Sequence, residues 1–429
     1  MSERPRVLII GGGFAGISSA QALKRAPVDV LVVDRRNHHL FQPLLYQVAT
    51  AALAPADIAE PIRTVLRKQA NAKVILGSVQ SVDPVHKRIR VDDRWIEFDW
   101  LIIAAGVRHS YFGHPEWEQY APGLKTIGDA LEIRRRILTA FERAEWCDDD
   151  EARRKLMTFV VVGAGPTGVE VAGAIADIAR LTLARDFRNI DTTSAHIILV
   201  EGGDKVLGVY PAPLPHRAHE QLTSLGVEVR LNTSVTGVDE DGVQLGDGER
   251  LDAATVVWAA GVQGSAVGED AGFERHRSGR IPVKPDLSVP QYDHIFVAGD
   301  QAIIMGAGDK PVPGVAPAAM QMGKHAAKMI VASLKGHDRT PFRYTDRGQM
   351  ATIGHARAIA ATGPLKLSGF IAWLAWAFIH ILFLITFRNR LVVLLKWAWA
   401  WVLFDRSSRL LWETEPSAAA TQRDQADND

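Results

Sequence analysis

The chain has 429 residues, 47% of them hydrophobic and 23% charged, with Lys plus Arg and Asp plus Glu balanced at 49 each. That length exceeds one ordinary core and predicts two or three domains, while the zero net charge gives no global attraction to nucleic acid. A single cysteine, Cys147, excludes a disulfide framework, a cysteine-only metal site and any CxxC or CxxxxC redox pair within the chain, and no metal is expected.

At the N-terminus Arg4 and Arg6 are followed only by the short apolar run VLII, with no small-residue cleavage site after it. A secretory leader is therefore not expected, and an intracellular location is. RVLIIGGGFAGISSAQAL (6–23) and VDVLVVD (28–34) read as strand, glycine turn, helix and strand. The β-branched runs suit strands buried on both faces of a parallel sheet. A G-x-G-x-x-G pattern falls on Gly11, Gly13 and Gly16. The first glycine permits a tight turn, the second lets a pyrophosphate approach the backbone, and the third lets helix and strand pack closely. The helix N-terminus then offers its partial positive charge to the phosphates. Asp34 ends the following strand, where it can accept from both ribose hydroxyls.

DWLIIAAG (99–106) is a buried strand ending in small residues, and the charge-dense CDDDEARRKLM (147–157) reads as exposed chain before a second unit. That unit, MTFVVVGAGPTGVEVAGAIADIA (157–179) with HIILVE (196–201), places the glycine pattern on Gly163, Gly165 and Gly168 and a terminal acid on Glu201. The polar insert FRNIDTTS stretches the spacing past the usual ~20 residues. GGDK follows Glu201, so no arginine stands immediately beside it for a 2′-phosphate, which favours NADH over NADPH. A surface glutamate at a strand end is the plainer reading. Glu170, in the first turn of this helix, either complements the helix N-terminus or contacts the nicotinamide. DAATVVWAAG (252–261) repeats the earlier AAG strand, so an internal duplication is expected. IFVAGDQA (295–302) is a strand whose closing turn carries Asp300.

In this order the motifs resemble the two-dinucleotide-binding-domain flavoproteins related to glutathione reductase, over residues 6 to about 335. The resemblance implies an α/β fold with two Rossmann-like dinucleotide-binding domains, one inserted in the other. FAD would occupy residues 1–120 with 271–340, and NADH residues 121–270. A C-terminal membrane-docking helical segment (341–412) and a disordered tail (413–429) would follow. Asp300 would serve the flavin ribityl chain, Ala105 and Gly106 would lie beside FAD, and Ala260 and Gly261 beside NADH. Most such enzymes relay electrons through a cysteine pair, which one cysteine cannot supply. The segments NHHLFQPLLYQVATAALAPADIAEPIR (37–63) and VPGVAPAAMQMGKHAA (312–327) look instead like those of type II NADH:quinone oxidoreductases. In their AQxAxQ quinone-site pattern Ala316, Ala319 and Gln321 match, and Pro317 replaces the first glutamine. A proline is tolerated in a first helical turn. The resemblance assigns quinone contact to Gln321 and a place near the quinone entrance to Lys366. The plain alternatives are a polar helix position and a solvated lysine. It further implies two-electron transfer from NADH through FAD to a quinone without proton pumping. An NADH oxidase using oxygen and a flavin-bound redox sensor are the rival readings.

The final question is FIAWLAWAFIHILFLITF (370–387), whose length reaches the lower limit of a membrane span. Arg388, Arg390, Lys396, Arg406 and Arg409 follow against Asp405 alone, and Trp373, Trp376, Trp397, Trp399, Trp401 and Trp412 are six of eleven tryptophans. A span would put His380 in mid-membrane at a cost, and a buried core helix has no use for tryptophans beside basic residues. Interfacial helices use both, and the resemblance to monotopic enzymes points the same way. The expectation is a peripheral landing surface on the cytoplasmic face of the inner (cell) membrane. Part of it is also suited to pairing two copies in a homodimer.

Overall fold

The computed structural model describes residues 4–306, 310–384, 386–403 and 408–411. The expected tail at 413–429, with Arg406 and Trp412, lies outside the described residues.

Two parallel sheets form the frame. The larger runs Ser288–Val289, Tyr292–Val297, Trp100–Ile103, Arg6–Ile10, Asp29–Asp34, Ala72–Leu76; the smaller runs Val227–Arg230, His196–Val200, Thr158–Val162, Thr255–Trp258. Every pairing is parallel except the hairpin of Ser288–Val289 with Tyr292–Val297. The central strands are largely apolar because both faces are covered: in the smaller sheet Phe159, Val161, Ile197 and Leu199 pack among helix residues, and Val160, Val162, Ile198 and Val200 pack with Val238, Val243, Leu245 and Leu251; all five residues of Thr158–Val162 are buried.

The two sheets share one topology. In each, the first strand lies between the second strand and a late return strand, and the third strand lies outside the second. In each, a three-stranded antiparallel meander precedes the return strand: Val79–Asp83, Arg88–Val91 and Arg94–Glu97 in one, Val235–Asp239, Gly242–Leu245 and Arg250–Asp252 in the other. The segments leaving the two AAG loops, Val107–His109 and Val262–Gly264, pair with each other antiparallel. The duplication read from sequence is therefore present in the strand order, and the two copies are joined at equivalent exits. The charge-dense stretch before the second unit is a surface helix, Asp150–Leu156, with no buried residue, capped by Asp149 Oδ1 accepting from Glu151 N at 2.8 Å.

Two close helix contacts set the layers. Helix Ala316–Leu334 crosses helix Phe14–Ala22 at Gly323, where a Cβ would stand 2.2 Å from Ala15 O. Helix Pro166–Asp177 meets the C-terminal sheet (Gln349–Gly354, Arg357–Thr362, Leu365–Ser368) at Gly173, where a Cβ would stand 1.7 Å from Ile353 O.

The apolar run at 370–387 is not one helix. Helix Phe370–Phe383 stops at Leu384 (φ −59°, ψ 137°), and a second helix, Phe387–Leu403, starts after Thr386, whose Oγ1 accepts from Asn389 N at 3.2 Å. Arg390 Nε donates to Leu384 O at 2.8 Å, so a basic side chain satisfies a carbonyl at the break. Among the described residues no helix is long and apolar enough to cross a membrane. The pair packs inward through Ala372, Trp376, Leu384, Asn389 and Val393. The half-buried ion pair of Lys396 Nζ with Asp57 at 2.6 Å ties it to the main body.

Gly173→Ala is expected to lower stability by about 1–3 kcal/mol, because backbone must move to admit the methyl. Chemical denaturation of the variant against the natural chain reads this, and an unchanged midpoint would contradict so tight a contact.

Candidate active site

The two glycine turns are superimposable in their chemistry. Gly11 and Gly163 take φ of +103° and +99°, and a Cβ on either would collide with the small-residue loop opposite, at Ala104 O (2.4 Å) and Ala260 Cα (2.8 Å). A Cβ on Gly16 or Gly168 would stand 1.8 Å from the carbonyl of Gly11 or Gly163, so the third glycine lets the helix start under the turn. Gly13 and Gly165 face open space, and each begins a helix without a side-chain cap. These uncapped amides beside an open glycine suit a pyrophosphate. Ala105 and Gly106, and likewise Ala260 and Gly261, line the loops opposite, with Gly106 at φ +70° and Gly261 at +72°.

The strand-end acids match as well. Asp34 Oδ2 accepts from Gly12 N at 2.6 Å and Oδ1 from Arg36 N at 2.7 Å; Glu201 Oε2 accepts from Ala164 N at 2.6 Å and Oε1 from Gly203 N at 2.8 Å. The insert before Glu201 is absorbed by a π-turn, Ile178–Thr182, and the loop beyond it, so the acid reaches the same place as Asp34. Both acids are oriented by backbone and keep lone pairs for ribose hydroxyls.

Residues around the first turn fit a flavin dinucleotide. Asp300 sits on the turn Gly299–Gln301, 3.4 Å from where a Cβ of Gly314 would be, just before the uncapped N-terminus of helix Ala316–Leu334. Lys125 approaches Asp300, and burial lowers its pKa more than that carboxylate raises it. Arg36 Nη1 is buried with no partner among the described residues, a donor left for an anionic or hydroxyl-bearing ligand. His39 bonds Gly12 O through Nδ1 at 2.8 Å, and burial lowers its pKa, so it braces the glycine turn as a neutral ring.

A second site opens on the outer face of helix Pro166–Asp177. Glu170, Ala174, Asp177 and Leu181 recur at helical spacing along a cavity of ≈ 120 Å³ closed by Tyr46, Gln47, Thr352 and the tryptophans Trp373, Trp376 and Trp397. The area that Glu170 keeps exposed faces this cavity, while burial of its carboxyl pushes the pKa up to about 8 against a hydrogen bond from the Thr352 backbone N–H. A polar chain runs along the wall: Trp397 Nε1 donates to Gln47 Oε1 (2.8 Å), Gln47 Nε2 to Tyr46 Oη (2.9 Å), and Tyr46 Oη meets Thr352 Oγ1 (2.9 Å). The short helix Leu45–Ala49 that carries Tyr46 and Gln47, and the turn after it, are pinned by Arg134, whose guanidinium donates to Val48 O and Leu53 O at 2.8 Å each.

Gln321 and Lys366 do not line this cavity. The Gln321 amide is committed to Thr345, donating to its carbonyl and accepting from its N–H at 2.9 Å each, and the exposed Lys366 Nζ donates to Ala212 O at 2.7 Å. Pro317 occupies the first turn of its helix, where its missing N–H costs no internal bond. His380 is also settled: its Nδ1 bonds Trp376 O at 2.8 Å, and burial pushes its pKa down to about 4, so the ring is neutral and structural. Gln47, Tyr46, Thr352 and Arg134 were missed by sequence reasoning. No local signal marks Arg134 within LEIRRRI, since Arg135 and Arg136 pair with Glu132 and only Arg134 turns inward.

Comparison with known proteins agrees with this geometry. The pattern of the pyridine nucleotide-disulphide oxidoreductase family matches residues 5–323. The chain is 47% identical over 410 residues to a type II NADH:quinone oxidoreductase of Mycobacterium tuberculosis, covering 92% of this chain and 88% of the relative. It is 44% identical over 411 residues to a second from that organism, covering 92% and 86%. Among solved structures, NDH2 from Plasmodium falciparum in complex with NADH has a similar fold (TM-score 0.86, 19% identity, 93% of this chain and 98% of that one).

Glu201→Ala is expected to narrow the preference for NADH over NADPH by about tenfold, since a charged ribose acceptor and a repulsion toward a 2′-phosphate are both lost. The ratio of kcat/KM for the two nucleotides reads this; an unchanged ratio would remove Glu201 from the ribose site.

Proposed function

The chain belongs to the type II NADH:quinone oxidoreductases, within the pyridine nucleotide-disulphide oxidoreductase family, and on that footing we propose that it oxidises NADH with a membrane quinone, through bound FAD and without pumping protons. The observation that carries this reading is the shared helix Pro166–Asp177. Its N-terminal end holds the second glycine turn, and its outer face presents Glu170 to a tryptophan-walled cavity.

In this reading Gly11, Gly13, Gly16 and Asp34 hold the FAD pyrophosphate and ribose, Ala105 and Gly106 border the dinucleotide, and Asp300 receives the ribityl hydroxyls. Gly163, Gly165, Gly168 and Glu201 hold NADH, with Ala260 and Gly261 beside it. FAD supplies the two-electron carrier between nicotinamide and quinone. The domain division is residues 1–120 with 271–340 for FAD, 121–270 for NADH and 341–412 for docking. The overall conversion, NADH plus one proton plus quinone giving NAD⁺ plus quinol, takes up a proton. Glu170 holds one at neutral pH because burial disfavours its charged form. Gln321 acts by clamping the segment at Thr345 that leads to the sheet bearing Thr352. Lys366 and Ala212 tie the last strand of that sheet to the NADH domain.

The exposed apolar face of the C-terminal pair is the membrane contact. Ile371, Leu374, Phe378 and Leu382 stand exposed along the first helix, and Leu391, Leu394, Leu395 and Trp399 along the second. Such a face with basic residues at its margin lies in the interface, on the cytoplasmic leaflet, and delivers the cavity to a bilayer-dissolved quinone. A homodimer would cover part of the same face.

A protonated Glu170 predicts quinone reduction that holds below about pH 8 and falls above it as the carboxyl ionises. Glu170→Gln should lose about 100-fold in kcat and flatten that limb; a variant that keeps the natural profile would contradict the role. The double variant Leu394→Asp with Leu395→Asp should lose sedimentation with anionic lipid vesicles while NADH still bleaches the flavin. Undiminished sedimentation would place the membrane contact elsewhere.

A further inference from the structure

Among the described residues, the wall of the cavity carries a buried indole N–H that the protein does not serve. Trp376 is 1% exposed, lines the cavity, and its indole Nε1 is buried with no acceptor among the described residues. The polar groups of the wall beside it are engaged with one another: Trp397 Nε1, Gln47 and Tyr46 bond in the chain described above. The ring cannot easily turn to find a partner, because it is stacked on Trp397 (centroids 5.1 Å) and on His380 (4.4 Å), and His380 is tethered to the Trp376 carbonyl. A buried N–H held in place without an acceptor is costly to the fold, so its retention needs an explanation.

An indole N–H donates and cannot accept, so the missing partner is an acceptor that reaches the cavity from outside. A carbonyl oxygen on a flat ring meets both conditions. The cavity volume of ≈ 120 Å³ is close to the about 150 Å³ that accommodates a single benzene ring, and its indole walls suit an aromatic or quinonoid face. We propose that Trp376 is a quinone-binding residue, donating its Nε1–H to a carbonyl oxygen of the quinone headgroup. This rests on the cavity being the quinone site. Trp376 holds the oxygen and transfers no proton; that task stays with Glu170. The first C-terminal helix then both faces the membrane and carries a recognition group for the substrate dissolved in it.

Three variants of the full chain, loaded with FAD, test this. Trp376→Phe keeps a flat apolar ring without the donor and should raise KM for a short-chain quinone about five- to tenfold, leaving the rate of anaerobic flavin reduction by NADH unchanged. Trp376→His restores an N–H on a flat ring and should recover part of that loss. Packing alone predicts the reverse order, since phenylalanine replaces a buried tryptophan better than histidine does. A quinone KM unchanged in Trp376→Phe, or no lower in Trp376→His than in Trp376→Phe, overturns the proposal. Should the phenylalanine variant fail to fold, the histidine variant alone decides, a rise beyond tenfold overturning the donor role. Ala174→Leu, which fills the cavity, separates the two levels. If it abolishes quinone reduction while Trp376→Phe changes nothing, only the donor role falls. If it leaves quinone reduction intact, the cavity is not the quinone site and both readings fall together.

Discussion

Everything at the proposed centre depends on one close contact, the backbone of helix Pro166–Asp177 against the C-terminal sheet at Gly173 and Ile353. A methyl group there would stand 1.7 Å from a carbonyl oxygen. That approach brings the Thr352 N–H to the Glu170 carboxyl and closes the cavity between the helix and the C-terminal helices. The helix thereby serves two purposes at once: its uncapped start carries the second glycine turn, and its outer face borders a separate pocket. Glu170 lies one turn in from the glycine motif, buried enough to hold a proton at neutral pH yet bordering the cavity. A two-substrate enzyme needs its sites adjacent but separately accessible, and sharing one rigid helix accomplishes both.

The duplicated sheets explain the adjacency. Each copy ends its return strand in an AAG loop pressed against the first glycine of its own motif, and the segments leaving those loops pair with each other. Two dinucleotide sites are thus joined at equivalent points, with open glycines and uncapped helix starts in both. The C-terminal helices are a later layer, held by Lys396 on Asp57 and Trp397 on Gln47. They close the cavity on one side and leave leucines, isoleucine and tryptophan exposed on the other.

Much of this was legible in the sequence because it is local. Glycine spacing, strand-end acids and small-residue loops follow from what a tight turn requires of its own residues, and the two near-copies announced a shared topology. Glu201 looked displaced only because the chain between turn and acid is longer; the structure takes up the excess in a π-turn and loop. The helix end at Leu384 was not read, although Thr386 as a cap and Arg390 as a carbonyl partner were both present. An unbroken apolar run hides such signals. The cavity was illegible for a different reason. Tyr46, Glu170, Thr352 and Trp376 come from four distant stretches, and nothing near Tyr46 or Trp376 in sequence tells a core aromatic from a pocket wall. Gln321 matched a motif, yet its amide is bound to Thr345, a partner that only the fold reveals.

The most direct test is an anaerobic experiment in two steps on the purified, FAD-loaded chain, following flavin absorbance as NADH and then a short-chain quinone are added. Rapid bleaching by NADH and rapid recovery on quinone are expected, each substrate acting without the other present. Bleaching without recovery on quinone would contradict the proposed function, leaving a nucleotide-reducible flavoprotein whose electrons go to oxygen or to another acceptor.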